Sequence, residues 1–178
     1  GHVEPLTVIN IQLARGRSIE TVTQVQTNKA YPTLYKDLNK LAHGIYISEL
    51  IDQFTPEKEP NKQIFDAGID ILDFISISPE PELNIRNFEF QILKFSGFLP
   101  ELFVCVKCGQ EIVAGEHRYS VSNGGVICLG CSDISNTMDM SLASIKLLRY
   151  FNRHSTAGES QLRIKETTYT EVRNLLLE

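Results

Sequence analysis

Hydrophobic and polar positions change period several times along this chain. Near the start Leu6, Val8, Ile9, Ile11 and Leu13 give a β-rich run, and Ile19 to Val25 alternates. In that second run Ile19, Thr21, Thr23 and Val25 share one face, with Glu20, Val22 and Gln24 on the other. Two such runs around Ala14, Arg15, Gly16, Arg17 and Ser18 predict a β-hairpin. An isolated hairpin is marginal in water, and no further strand follows nearby, so the sheet reads as incomplete. From Tyr31 the spacing becomes helical. Leu34, Leu38, Leu41, Ile45 and Ile47 predict a helix ending near Phe54, before Pro56. Ile64, Phe65, Ile69, Leu72 and Ile75 predict a second, broken by Pro79 and Pro81. Ile85, Phe88, Ile92, Phe95 and Leu99 predict a third, with Gly97 near its end. Three such helices pack as a small bundle. Beyond them, His117 to Ser122 and Val126–Ile127 flank Asn123-Gly124, a dipeptide that supplies the positive φ angles of a tight hairpin. Ser141 then caps a helix with Ile145, Leu148 and Phe151 on its apolar side, and a last short helix carries Val172, Leu175 and Leu176.

The fold class that results is mainly α: a helical bundle with an inserted cysteine ribbon, preceded by a β-hairpin. At 178 residues the chain suits one domain or two small ones, and its 42% hydrophobic share is that of an ordinary globular protein. No apolar run reaches the roughly 18 residues of a membrane helix, and no secretory signal is visible. The first residue is Gly rather than Met, which reads as a processed start or a piece of a longer chain. The formal charge of −5 argues against a chain-wide basic coat. Residues 31–100 carry six basic and eleven acidic groups, whereas residues 141–178 carry six and four. An anion-binding surface is therefore expected at the two ends of the chain.

The cysteines carry the strongest chemical signal. Cys105-x-x-Cys108 and Cys128-x-x-Cys131, nineteen residues apart, have the spacing of a zinc ribbon. Four thiolates close a tetrahedron and leave no place for a reactive water, so one structural Zn²⁺ is expected. Two disulfides or a redox pair are the alternatives, but a redox C-x-x-C would follow a strand in a βαβ pattern, which is absent. His117 lacks the H-x-E context of a zinc deaminase and is expected to be an exposed hairpin residue. His2, His43 and His154 have no ligand-spaced partners. Asp66, Asp70 and Asp73 lie at helical spacing and read as the solvated side of a helix rather than a metal face. No phosphate loop, dinucleotide fingerprint or nucleophile elbow is present. Two basic features remain. Arg15 and Arg17 flank Gly16 at the hairpin tip, where they read either as a phosphate grip or as a solubilising turn. Lys146, Arg149 and Arg153 lie on the helix after the ribbon and form, with Arg163 and Lys165, either a DNA-facing row or cations favoured near a helix C-terminus.

The order of these pieces resembles the RecO family of bacterial recombination mediators. The stretches that carry the resemblance are 1–6 (GHVEPL), 13–18 (LARGRS), 31–41 (YPTLYKDLNKL), 46–51 (YISELI), 88–102 (FEFQILKFSGFLPEL), 105–109 (CVKCG) and 124–126 (GGV). The resemblance implies an N-terminal OB-fold, a helical domain and, in many members, a four-cysteine zinc ribbon. Residues 1–30 would then be the remnant of an OB-fold whose first strands are absent, and 31–178 the helical domain, with the ribbon at about 101–132. It also implies a cytoplasmic, nucleoid-associated, non-enzymatic protein. Such a protein binds and anneals single- and double-stranded DNA, associates with RecR, contacts the tail of single-strand-binding protein (SSB), and so helps load RecA. The rival classes are the accessory part of a nucleic-acid-processing enzyme and a transcription-associated zinc-ribbon adaptor.

Overall fold

The computed structural model describes residues 3–16, 19–154 and 162–177. Arg17 and His2, among the residues singled out above, lie outside them. Strands β1 (Thr7–Ala14) and β2 (Thr21–Ala30) pair antiparallel. Three long helices follow: α1 (Leu38–Phe54), α2 (Lys62–Ile77) and α3 (Glu82–Phe95). The ribbon contributes β3 (His117–Ser120), β4 (Gly125–Cys128) and β5 (Met138–Met140), and the chain closes with α4 (Leu142–Arg153) and α5 (Glu166–Leu176).

The first predicted helix begins later than its apolar spacing suggests. Leu34–Lys36 forms a separate 3-10 turn, because the Asp37 carboxylate accepts from the amides of Asn39 and Lys40 and starts α1 there. Asn61 caps α2 in the same way through the amide of Ile64, and Ser141 caps α4 through that of Ser144. The first hairpin also departs from simple alternation. Its register shifts between Val8 and Ile9 and between Gln12 and Leu13, so Val25 faces Ile11 while Val22 faces Leu13. The extra residue at Thr23 therefore puts Val22 and Val25 on one side, not on opposite sides. That side, with Ile11 and Leu13, is largely open to solvent.

Two apolar cores share one helix. Ile47, Ile64, Ile71, Ile75, Ile85, Phe88 and Ile92 fill the first, between α1, α2 and one side of α3, and Leu6 and Tyr31 anchor the base of the hairpin to it. Phe90, Leu102, Tyr119, Ile127, Ile145, Leu148, Phe151 and Val172 fill the second, between the other side of α3, the ribbon, α4 and α5. Wrapped from both sides, α3 buries nine consecutive residues from Asn84 to Ile92. Four of its buried polar residues, Arg86, Asn87, Glu89 and Gln91, have partners. Arg86 Nη2 lies 2.9 Å from Glu89 Oε1, which also accepts from the Tyr46 hydroxyl at 2.6 Å. Burial pushes the Glu89 carboxyl up, against the pull of Arg86 and of the Tyr46 hydrogen bond.

Both ends of α4 are held by other helices. At its start the Glu171 carboxylate of α5 accepts from the Ser141 amide at 3.0 Å and the Ser144 hydroxyl at 2.6 Å. At its end Gln91 and Lys94 of α3 donate to the carbonyls of Phe151 and Asn152, and Asn87 donates to that of His154. An anion at the N-terminus and a cation at the C-terminus also match the helix dipole.

Candidate metal centre and basic surface

The ribbon is a three-stranded sheet in the order β4-β3-β5. Residues 101–106 run along the free edge of β4, where Glu101 exchanges two backbone hydrogen bonds with Gly124 and Val126, and the Val106 amide donates to Val126. This approach is close: a Cβ on Gly125 would meet the Glu101 carbonyl oxygen at 2.7 Å and Val106 Cγ1 at 2.6 Å. The hairpin turn is not the two-residue turn suggested by Asn123-Gly124. Four residues connect Ser120 to Gly125, and among the turn residues only Gly124 has a positive φ, of 65°. Asn123 instead uses its side chain, which donates to the Ser120 hydroxyl at 2.7 Å.

This scaffold brings all four cysteines to one point. Their Sγ atoms lie within 4.8 Å of one another, and Cys108 and Cys128 are 3.8 Å apart. A tetrahedral Zn²⁺ with bonds of about 2.3 Å requires sulfur–sulfur separations of about 3.8 Å. The donor set and its spacing therefore fit that ion, and Cys105, Cys108, Cys128 and Cys131 would hold it. The thiols also share hydrogen bonds. Burial raises the Cys105 thiol, but the backbone amides of Cys128, Cys108 and Lys107 outweigh it and bring the group down to about 6. Cys131 is pushed up to about 12 by hydrogen bonds with Cys128 and Cys108. Binding a divalent cation requires all four thiols to be deprotonated, so it would release their protons and depend on pH. Lys107 Nζ reaches the Cys131 carbonyl at 3.1 Å and ties one knuckle to the other.

His117 is buried in β3, not exposed, with Nδ1 3.1 Å from the Gly115 carbonyl. The reason is β5, which pairs Met140 opposite His117 and covers it. Asp66 and Asp73 are paired with Lys62 and Lys29, both at 2.5 Å, and belong to a solvated face; among the described residues the cysteines form the one metal-ligating group. Asp70 stands between them, its carboxyl raised by burial and by Asp73 and Asp66.

The basic row on α4 divides in two. Lys146 and Arg153 are exposed, as are Arg15, Arg163 and Lys165. Arg149 is turned inward. Its guanidinium donates to the Leu102 carbonyl from Nε at 3.1 Å and from Nη2 at 2.6 Å, reaches the Ile112 carbonyl at 3.4 Å, and lies 4.7 Å from the centre of the Phe103 ring. It fastens the first cysteine knuckle to the helical body. Spacing alone put Arg149 among the surface cations because its acceptors are backbone groups about forty residues away.

These features define a helical body carrying a ribbon whose four cysteines could hold a metal ion, and a β-hairpin with an uncovered apolar side. Residues 35–178 match the family described as Recombination protein O C terminal. The chain is 33% identical over 172 residues to the DNA repair protein RecO of Dehalococcoides mccartyi, covering 97% of this chain and 68% of that protein. To the RecO proteins of Roseiflexus and Desulforamulus reducens it is 31% identical over 177 residues, 99% of this chain and 62% and 69% of theirs. The chain belongs to the RecO family.

Proposed function

We propose that this protein acts without catalysis in DNA repair and homologous recombination. It binds and anneals DNA and, with RecR, helps RecA load onto single strands covered by SSB. Family membership along nearly the whole chain is the observation that supports this reading. In this reading residues 1–30 belong to an OB-fold, whose surface takes strands by charge and stacking rather than by sequence. Residues 31–178 are the helical domain. One Zn²⁺ holds the ribbon shut as a structural ion. Phosphates meet Arg15 and Arg17, in the chain between β1 and β2, and Lys146 and Arg153 on α4, with Arg149 adding charge from behind. The SSB tail docks in a groove of about 780 Å³ between α1, the end of α3, the ribbon and α5, lined by Tyr46, Leu50, Phe54, Phe98 and Leu175. No described helix is long and apolar enough to cross a membrane, and the protein works in the bacterial cytoplasm at the nucleoid.

Annealing of complementary oligonucleotides, bare and SSB-coated, tests the reading. The expected outcome is acceleration that is indifferent to sequence and falls steeply with salt. In the R15A/R17A double variant the salt slope of binding should drop by about 1–2. No acceleration on either substrate, with or without RecR, would overturn it.

A further inference from the structure

The last turn of α4 carries an aromatic pair that the phosphate contacts above leave unused. The rings of Tyr150 and His154 stack with centroids 4.1 Å apart and planes 20° from parallel. Tyr150 is half-buried against the second core, while His154 is exposed. The outer ring is firmly placed. The His154 amide reaches the carbonyls of Tyr150 and Phe151 at 3.0 and 3.3 Å, and its own carbonyl accepts from Asn87 Nδ2 at 3.0 Å. His154 Nδ1 lies 2.9 Å from the Tyr150 carbonyl, an acceptor, so Nδ1 carries the proton and donates. A ring already held loses little freedom when a ligand stacks on it.

Along α4 the charges near the pair have one sign. At about 100° per residue, Lys146, Tyr150, Arg153 and His154 fall within about 100° of arc on one side of the helix. Leu142–Arg153 contains no acidic residue, and neither Lys146 nor Arg153 is in a salt bridge among the described residues. Lys94, whose ammonium sits on the Asn152 carbonyl, adds a further cation at this end. A flat exposed ring between cations is what a single strand recognises: every base has a π-face, and each phosphate needs a counter-charge.

We propose that the Tyr150–His154 stack is a base-stacking platform for single-stranded nucleic acid, with Lys146 and Arg153 holding the adjoining phosphates. This rests on the DNA-binding reading above and adds the residues that take a base. A ring that merely closes the helix end would contribute to stability but would not distinguish a strand with bases from one without.

The test compares binding of the full chain to an oligo-dT and to an abasic oligonucleotide of equal length and charge, by fluorescence anisotropy across a salt series. His154→Ala should weaken oligo-dT binding at least about fivefold, leave the salt slope unchanged and leave abasic binding untouched. His154→Phe should restore oligo-dT binding. Arg153→Ala should weaken both ligands alike and lower the salt slope by about one. Equal losses on both ligands with His154→Ala, or no loss on either, would overturn the platform and leave DNA binding standing. Failure of the unmodified protein to bind either ligand at low salt would remove the DNA-binding reading together with it.

Discussion

The hairpin β1–β2 has strands of eight and ten residues and buries almost none of their side chains, whereas the ribbon sheet, with strands of four, four and three, buries most of its own. Among the described residues the long hairpin meets the body near its base, through Leu6, Val8 and Tyr31, through the Tyr35 hydroxyl on the Pro5 carbonyl, and through the Lys29–Asp73 pair. The short sheet is enclosed by the second core, bordered by residues 101–106, clamped by Arg149 and closed by four cysteines. Strand length therefore has little to do with how firmly a small sheet is held here. What matters is how many independent supports reach it, because backbone pairing alone hardly offsets the entropy of ordering the chain.

Loss of the proposed Zn²⁺ should break the comparison most severely. Cys128→Ser, or chelation of the unmodified protein, should lower the metal content from about one equivalent to none. It should also cost the ribbon on the order of 10 kcal/mol of local folding energy. Amide exchange should then rise across residues 101–140 to the fast rates expected for β1–β2, while α1 and α2 stay protected. A ribbon that keeps its protection without metal would show that the core alone holds it.

Arg149→Met should have the next largest effect. It leaves the buried Leu102 and Ile112 carbonyls without their charged donor, at a cost of about 2 kcal/mol. Thermal unfolding and amide exchange should show the loss concentrated in residues 101–112, and Arg149→Lys should recover part of it.

A smaller, pH-dependent change is expected for Glu171→Gln. Burial raises the Glu171 carboxyl, but hydrogen bonds from Ser144 and Ser141 outweigh it and hold the group below its ordinary 4.5. A carboxyl depressed in the folded state stabilises fully above its unfolded value, and that contribution fades as pH falls through the folded one. The variant should thus melt below the unmodified protein at pH 7, and the gap should narrow as the pH is taken below 4.5. A gap that widens in acid would mean that the carboxylate does not hold the start of α4.

The smallest effect is expected at the hairpin. Lys29→Met removes a half-exposed ion pair and should change stability by less than about 1 kcal/mol. Exchange in residues 7–30 should rise slightly, and a double-mutant cycle with Asp73→Asn isolates the coupling.

Much of this was readable from residue order because it depends on local spacing. The helical periods, the Ser141 cap and the two C-x-x-C knuckles all lie within a turn or two of chain. Long-range pairing was the invisible part. Met138–Met140 is three residues with an aspartate in the middle, and it is a strand only because Tyr119, Arg118 and His117 lie across from it. The same strand hides His117. Arg149 looks like any basic residue on a helix until its acceptors arrive from the ribbon, and Tyr150 and His154 are a stack only once the helix end is fixed by α3. The Thr23 bulge reversed the expected side of Val22 because a shifted register cannot be seen in one strand alone.

Helix α3 gives the molecule an uneven tolerance to sequence change. A surface helix has a solvent side on which substitutions are nearly neutral. From Asn84 to Ile92 this one has none, since every residue is buried: apolar ones face two cores, and Glu89, Gln91 and Asn87 are committed to Tyr46, Phe151 and His154. Random substitution there meets either a cavity, an unpaired buried charge or a released helix end. A single substitution is therefore expected to cost far more along this stretch of α3 than on the exposed faces of the other helices or in the hairpin, so one helix sets how much change the whole body tolerates.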